Sequence, residues 1–276
     1  MGQWQDRWDR GRLLALPAFE SLRPVLLQCP EQRFPEAADL DALAAQHGVL
    51  SGGGAPLRFV DAEVSARRDF DSRYEVRIYR EGAVPTRRAN WHDLFNALAW
   101  ISFPRTKAAL NRRHFLEMQA GDGGRPRTRA RDVLTLFDES GIVVVCADPA
   151  LARLLREFRW KDLFWTGRGA VNRAMGFFIF GHAILEKALR PYKGVTAKAL
   201  ILDVEERVQA QPLQARLVVL DTIAAAHFSG AEALSSTRSL SPLPVFGVPG
   251  WDAGNEVESF YDDAAVFRPG RRARDE

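Results

Sequence analysis

Three observations predict a single mixed α/β domain: a small mixed sheet flanked by helices, with a helical hairpin and an extended C-terminal tail. The chain has 276 residues, 46% of them hydrophobic, which suits one large core rather than two. From residue 132 onward, apolar runs of strand length alternate with segments of helical period, an α/β rhythm. Between residues 90 and 119 the period is helical throughout, broken once at Phe103-Pro104.

Taken in order, residues 1–57 read as an irregular, partly helical lead-in interrupted by Pro17, Pro24, Pro30 and Pro35, with a short helix over 35–46 closed by Gly48. Residues 51–56 are a Gly-rich turn. Segments 57–64 and 73–80 alternate as half-buried strands do, the second setting Tyr74, Val76 and Ile78 against Glu75, Arg77 and Tyr79, and they are expected to pair antiparallel. Asn90 is a good N-cap for a helix whose apolar positions Leu94, Phe95, Leu98, Ala99 and Ile101 recur at steps of three and four. That helix should end at Phe103 and a second should run over 105–119, followed by a polar linker at 121–132. A helix or strand then leads to Phe137, a turn occupies 138–141, and 142–147 is a buried strand. Asp148 caps the next helix, with Pro149 at its first position. Strands over 177–180 and 196–204 and helices over 182–190 and 213–228 complete a core spanning 58–241. The tail, 242–276, should be ordered to about residue 269 through Trp251, Phe260, Tyr261 and Phe267, with its last residues disordered. No internal repeat occurs, so the sheet is built once.

Composition excludes several classes. The longest strongly apolar stretch, 174–185, carries Gly176, Gly181 and His182 and falls short of the roughly 20 residues a membrane helix needs. The start, MGQWQDRWDRGR, is polar where a secretory signal is apolar. Cys29 and Cys146 are the only cysteines, too few for a disulfide framework. The expectation is a cytoplasmic protein without membrane contact or disulfide. A net charge of +3 is too small to imply nucleic acid without a clustered patch. Lysine stands only at 107, 161, 187, 193 and 198 among 38 basic residues, leaving 33 arginines. Against that bias, a retained lysine either stands by chance on a plain surface or marks a place where a compact, tunable amine serves better than a guanidinium.

The segment NWHDLFNALAWISFPRTKAALNRRH, residues 90–114, resembles a bacterial family catalogued as domain of unknown function 3025. TLFDESG at 135–141, GHAILEKALRPYKGVTAKAL at 181–200 and PGWDAGNEVESFYDDAAVFRP at 249–269 agree with the same family. The resemblance covers nearly the whole chain. It implies no activity, cofactor or catalytic residue.

Chemistry-bearing residues gather in three places. In the 90–117 region His92 and Asn96 lie four apart on one helical face and His114 and Glu117 three apart on the next, with Asp93, Arg105, Lys107 and Asn111 between them. If the chain returns antiparallel at Phe103-Pro104, His92 and His114 come level and become neighbours. The same residues also fit ordinary helix caps. An HNH-type nuclease would use His92, Asn111 and His114, but Asn111 and His114 lie within one helical turn, which that motif does not allow. Around residue 138, LTLFDESGIVVV suggests a haloacid-dehalogenase-like phosphatase, yet Ser140 and Ile142 stand where its second aspartate and threonine belong; Asp138 and Gly141 read instead as turn residues. Finally, His182, Glu186 and Lys187 share a short helix. His182 and Glu186 could ligate a divalent metal, although two ligands are fewer than such a site needs, and a solvated i, i+4 pair is the plain alternative.

The sequence therefore leads to a small-molecule or phosphate-ester hydrolase. Its pocket would lie between the 90–117 hairpin and the helix at His182, with His92, Asp93, His114, His182 and Lys187 as catalytic groups and Asn96, Arg105, Lys107 and Asn111 binding substrate. The rival reading is a non-catalytic nucleic-acid- or protein-binding module using arginines such as Arg125, Arg127, Arg129 and Arg131.

Overall fold

The structure, a computed structural model, describes residues 7–62, 73–121, 128–230 and 236–270. The chain is mixed α/β. Its lead-in carries α1 (Arg10–Ala15), a 3-10 turn (Pro17–Leu22), α2 (Arg23–Leu26) and α3 (Ala37–Gln46). The prolines cut it into short pieces, and each piece buries apolar side chains, Leu13, Phe19, Leu22, Leu26 and Leu40 among them. Gly48, at φ +60°, closes α3 as expected.

The next segment corrects the sequence reading. Strand β1 (Arg58–Asp61) pairs not with 73–80 but, in parallel, with β2 (Ala83–Thr86), and the intervening α4 (Tyr74–Glu81) is a helix. Alternation misled because Val76 and Ile78 are both buried, while the helix-specific signals sit around them. Arg77 and Glu81 pair at i, i+4, and Gly82 ends the helix at φ +67°. The result is a small β-α-β unit. Residues 63–72, which include Arg67 and Arg68, and residues 271–276, expected to be disordered, lie outside the described residues.

Helix α5 (Trp91–Ser102) starts as predicted: the Asn90 side chain accepts from the Asp93 amide at 3.0 Å. It ends at Phe103, and Pro104 opens α6 (Pro104–Gly121). Because α6 begins abruptly, its first amides need acceptors. Asp221 supplies both, taking the Arg105 amide at 3.0 Å and the Thr106 amide at 2.8 Å. Beyond the junction the two helices take different neighbours: α5 lies against α3, and α6 against α4.

Next, α7 (Arg129–Ser140) leads directly into β3 (Gly141–Cys146). The helix starts inside the expected linker, capped by Thr128, and runs through the expected turn at 138–141. Then follow α8 (Pro149–Arg156), capped by Asp148 at 2.8 Å, a π-helical turn (Asp162–Thr166), α9 (Arg168–Ala174), β4 (Met175–Ile179), α10 (His182–Ala188), β5 (Thr196–Asp203), α11 (Glu206–Gln209), α12 (Leu213–Ser229) and β6 (Ser241–Pro244). The larger sheet has the order β4-β3-β5-β6, with β3 parallel to β5 and the outer pairs antiparallel.

All six residues of β3 are buried, and their alternation divides the interior. Ile142, Val144 and Cys146 face the larger core, with the lead-in, α5, α8 and α10. Val143 and Val145 face the second, with Phe137, Phe180, Leu217, Leu220 and Phe228. Segment 242–270 belongs to this body. Its Asn255, fully buried, donates to Phe246 O and Val248 O at 3.0 and 2.7 Å, and Trp160 Nε1 donates to Arg268 O at 2.9 Å.

Candidate functional site

Three helix ends meet near the start of β3: the start of α5, the end of α7 and the start of α10. The meeting is forced by the backbone. Gly181 donates to Gly141 O at 2.8 Å, so α10 begins against the point where α7 passes into β3, and His182 lands beside Asp138 and Glu139.

His182 is 5% exposed, its Nε2 lying 3.3 Å from Glu139 Oε2 and its Nδ1 4.0 Å from Asp138 Oδ2. That Nδ1 is buried and, among the described residues, has no hydrogen-bond partner. The imidazole beside it is that of His92, 4.5 Å between ring centroids and edge to face. His92 Nδ1 in turn lies 3.0 Å from Glu186 Oε2. Each histidine thus has a carboxylate, and the second carboxylate comes from α10, one turn on from His182.

A buried ion pair underlies this cluster. Lys107 is 4% exposed; its Nζ donates to Asp138 Oδ1 at 2.5 Å and to Asn96 Oδ1 at 2.8 Å, and lies 5.2 Å from the centroid of the Trp100 ring. Asn96 Nδ2 donates to the Tyr74 hydroxyl at 2.8 Å. Burial favours the neutral acid at Asp138, but the Lys107 ammonium, with His182 and His114 nearby, holds its carboxyl below the ordinary carboxylate range. The hydrogen bond to His182 lowers Glu139 as well, against its partial burial. Both carboxylates are therefore ionised at neutral pH. A small cavity of about 10 Å³, room for about one water molecule, adjoins the ion pair, lined by Tyr74, Trp100, Lys107, Asn111, His114 and Asp138.

The sequence-predicted residues divide accordingly. His92, His182, Asn96 and Lys107 come together, and His114 lines the adjoining cavity. The expected pairing of His92 with His114 gives way to His92 with His182, because α5 packs along α10 while α6 turns to α7 and α12. Asn111 fastens the scaffold: its Nδ2 donates to Glu75 O and Glu75 Oε2 at 2.9 and 2.8 Å, and its Oδ1 accepts from the Gly52 amide at 3.1 Å. Asp93 is clamped by Arg87 through two bonds of 2.8 Å and one of 2.7 Å from the backbone. Arg105 lines a different cavity, together with Asp221. Lys187 is exposed, so the amine of the cluster is that of Lys107.

Sequence reasoning missed Asp138 and Glu139 as members of the site. One signal was available. Two acidic residues in the last turn of a helix oppose the macrodipole, so something other than helix stability keeps them there. Reading 138–141 as a turn concealed that position. Glu186 was weighed as half of a solvated pair, and Tyr74 as a strand residue.

No curated protein and no solved structure matches the chain. A family model does, over residues 57–271, a span that holds every member of the cluster, and the chain accordingly belongs to the family described as Protein of unknown function (DUF3025).

Proposed function

We propose that this chain is a hydrolase of small molecules, phosphate esters included, acting at the junction of α5, α7 and α10. The observation that carries the reading is the His92–His182 pair, each imidazole held by a carboxylate, above the buried Lys107–Asp138 ion pair. Histidines oriented by carboxylates are the usual means of moving a proton near neutral pH. A water seated beside the imidazoles, on the exposed side of His92, loses a proton to this set as its oxygen bonds to the carbonyl carbon or phosphorus. The bond to the leaving oxygen breaks, and that oxygen takes up the proton. Lys107 acts through Asp138, keeping it ionised against His182, and is a positioning residue. The substrate would approach from the exposed side, where the His92 and Glu139 side chains are 33% and 41% exposed.

The binding-module alternative receives less support from the arginines. Arg87 is committed to Asp93 and Arg113 to Glu117, while Arg129 and Arg131 are part of α7; Arg125 and Arg127 lie outside the described residues. The test is a screen of the purified chain against phosphomonoesters, phosphodiesters and carboxylic esters. Turnover that falls by about 10²–10⁴-fold in His92→Ala, with the circular dichroism spectrum unchanged, is the expected result. Absence of turnover across all three classes, or turnover indifferent to His92 and His182, would sink the reading.

A further inference from the structure

We propose that His92, Glu139 and His182 form a mononuclear zinc site. This inference rests on the hydrolase reading for its purpose but not for its geometry. One donor atom from each of the three residues lies within 4.8 Å of the others. Two donors bound tetrahedrally to one zinc at roughly 2.0–2.1 Å stand about 3.3 Å apart, and His182 Nε2 and Glu139 Oε2 are 3.3 Å apart already. The remaining adjustment falls to the mobile partners, since the side chains of His92 and Glu139 are 33% and 41% exposed. The anchor, His182, is fixed.

The surroundings supply what metal-bound histidines need. A ligating histidine presents one nitrogen to the ion and gives the other to a carboxylate or carbonyl, which sets the tautomer. Glu186 occupies His92 Nδ1 at 3.0 Å, leaving Nε2 to ligate. On His182, Nε2 faces Glu139, and the other nitrogen, Nδ1, is buried, unpartnered and 4.0 Å from Asp138 Oδ2. An orphaned buried nitrogen is costly. Metal binding at Nε2 fixes the proton on Nδ1 and draws the ring toward Asp138, which satisfies it. Two imidazoles and one carboxylate with a position left open is the ligand set of catalytic rather than structural zinc, and such an ion lowers the pKa of a bound water to about 7.

The proposal is tested on the full chain, stripped with chelator, dialysed and titrated with zinc sulfate by calorimetry. The expected result is one zinc per chain, with affinity reduced at least a hundredfold in Glu139→Gln and His92→Gln and about 10–100-fold in Glu186→Gln. Because His92 and Glu139 are partly exposed, these variants should remain folded, whereas His182→Ala removes a buried ring and its packing, and circular dichroism monitors this. His47→Ala, elsewhere on the surface, controls for adventitious binding and should leave affinity unchanged. Absence of stoichiometric binding, or binding indifferent to both His92 and Glu139, overturns the zinc site. The two proposals fail separately: hydrolysis that persists in chelator removes the metal and leaves the hydrolase, whereas zinc bound without turnover of any ester leaves the metal and removes the hydrolase.

Discussion

Gly181 and Gly141 meet backbone to backbone. A Cβ built on Gly181 would lie 2.4 Å from the Gly141 nitrogen, 2.6 Å from Glu139 O and 2.6 Å from the Ser140 nitrogen. Gly181 has an ordinary negative φ of −67°, so the demand for glycine is one of space, not of dihedral strain. Through this contact the helix carrying His182 is seated on the helix end carrying Asp138 and Glu139.

Gly181→Ala should therefore damage site and stability together. The atoms it would meet are backbone and cannot rotate aside, so α10 must shift, at a cost of about 1–3 kcal/mol as for other overpacked interiors. Urea unfolding would measure the loss, and zinc calorimetry on the folded fraction should show weakened binding. A variant as stable as the parent would show that the junction relaxes freely and that Gly181 does not position His182.

The Lys107–Asp138 pair yields a second prediction. Removing one partner leaves a buried charge uncompensated, which costs about 3–5 kcal/mol, whereas replacing both with apolar groups of similar size is often close to neutral. Lys107→Met alone should be strongly destabilised in urea, and Lys107→Met with Asp138→Leu should recover much of the loss while remaining impaired in zinc binding or turnover. If Lys107→Met unfolds at the parent's urea concentration, the pair is solvated in solution and Lys107 does not hold Asp138.

How far the sequence reveals this arrangement depends on the range of the signal. Local signals are legible: the Asn90 and Asp148 caps, the Phe103-Pro104 break, the Gly48 closure and the all-apolar run of β3 each follow from the chemistry of a few adjacent residues. The helix at 74–81 is not, because Val76 and Ile78 show a strand's period of two, while in the helix they are buried on different sides, Val76 with Phe115 and Met118 and Ile78 in the larger core; the stack of Tyr79 on Phe115, 3.9 Å between centroids, is long-range. Half of the site is legible for the same reason. Histidines at 92 and 182 and the lysine at 107, one of five in the chain, stand out by residue type, but nothing near His92 in sequence says that its neighbour is 90 residues away. That pairing is set by the register of the sheet and by Gly181.

The last prediction concerns alkaline pH, where two buried acids away from the cluster bear on stability. Cys29 is 2% exposed, and burial pushes its thiol from 9.0 up to about 12, with Arg10 opposing in part. Tyr261 is 4% exposed; burial raises its phenol from 10.0 to about 12, again against a nearby cation, Arg168. Both are acids whose charged form the fold disfavours. In the unfolded chain they titrate at their ordinary values, so from about pH 9 upward the unfolded state gives up protons that the native state keeps. The native state then binds more protons, and stability must fall as pH rises. The contribution is fully present below pH 9 and is lost progressively toward pH 12. Urea midpoints measured at pH 8, 9, 10 and 11 should decline over the upper part of this series. Cys29→Ala should flatten the decline from about pH 9. Tyr261→Phe should flatten it from about pH 10, while costing about 1 kcal/mol at neutral pH through loss of the 2.9 Å bond that the hydroxyl donates to Gly247 O. The same burial predicts that a thiol reagent at pH 8 labels Cys29 and Cys146 slowly in the native protein and rapidly in urea. A pH slope unchanged in the double variant, or labelling of Cys29 as fast as that of a free thiol, would show that these groups are open to solvent and that the lead-in does not pack as described.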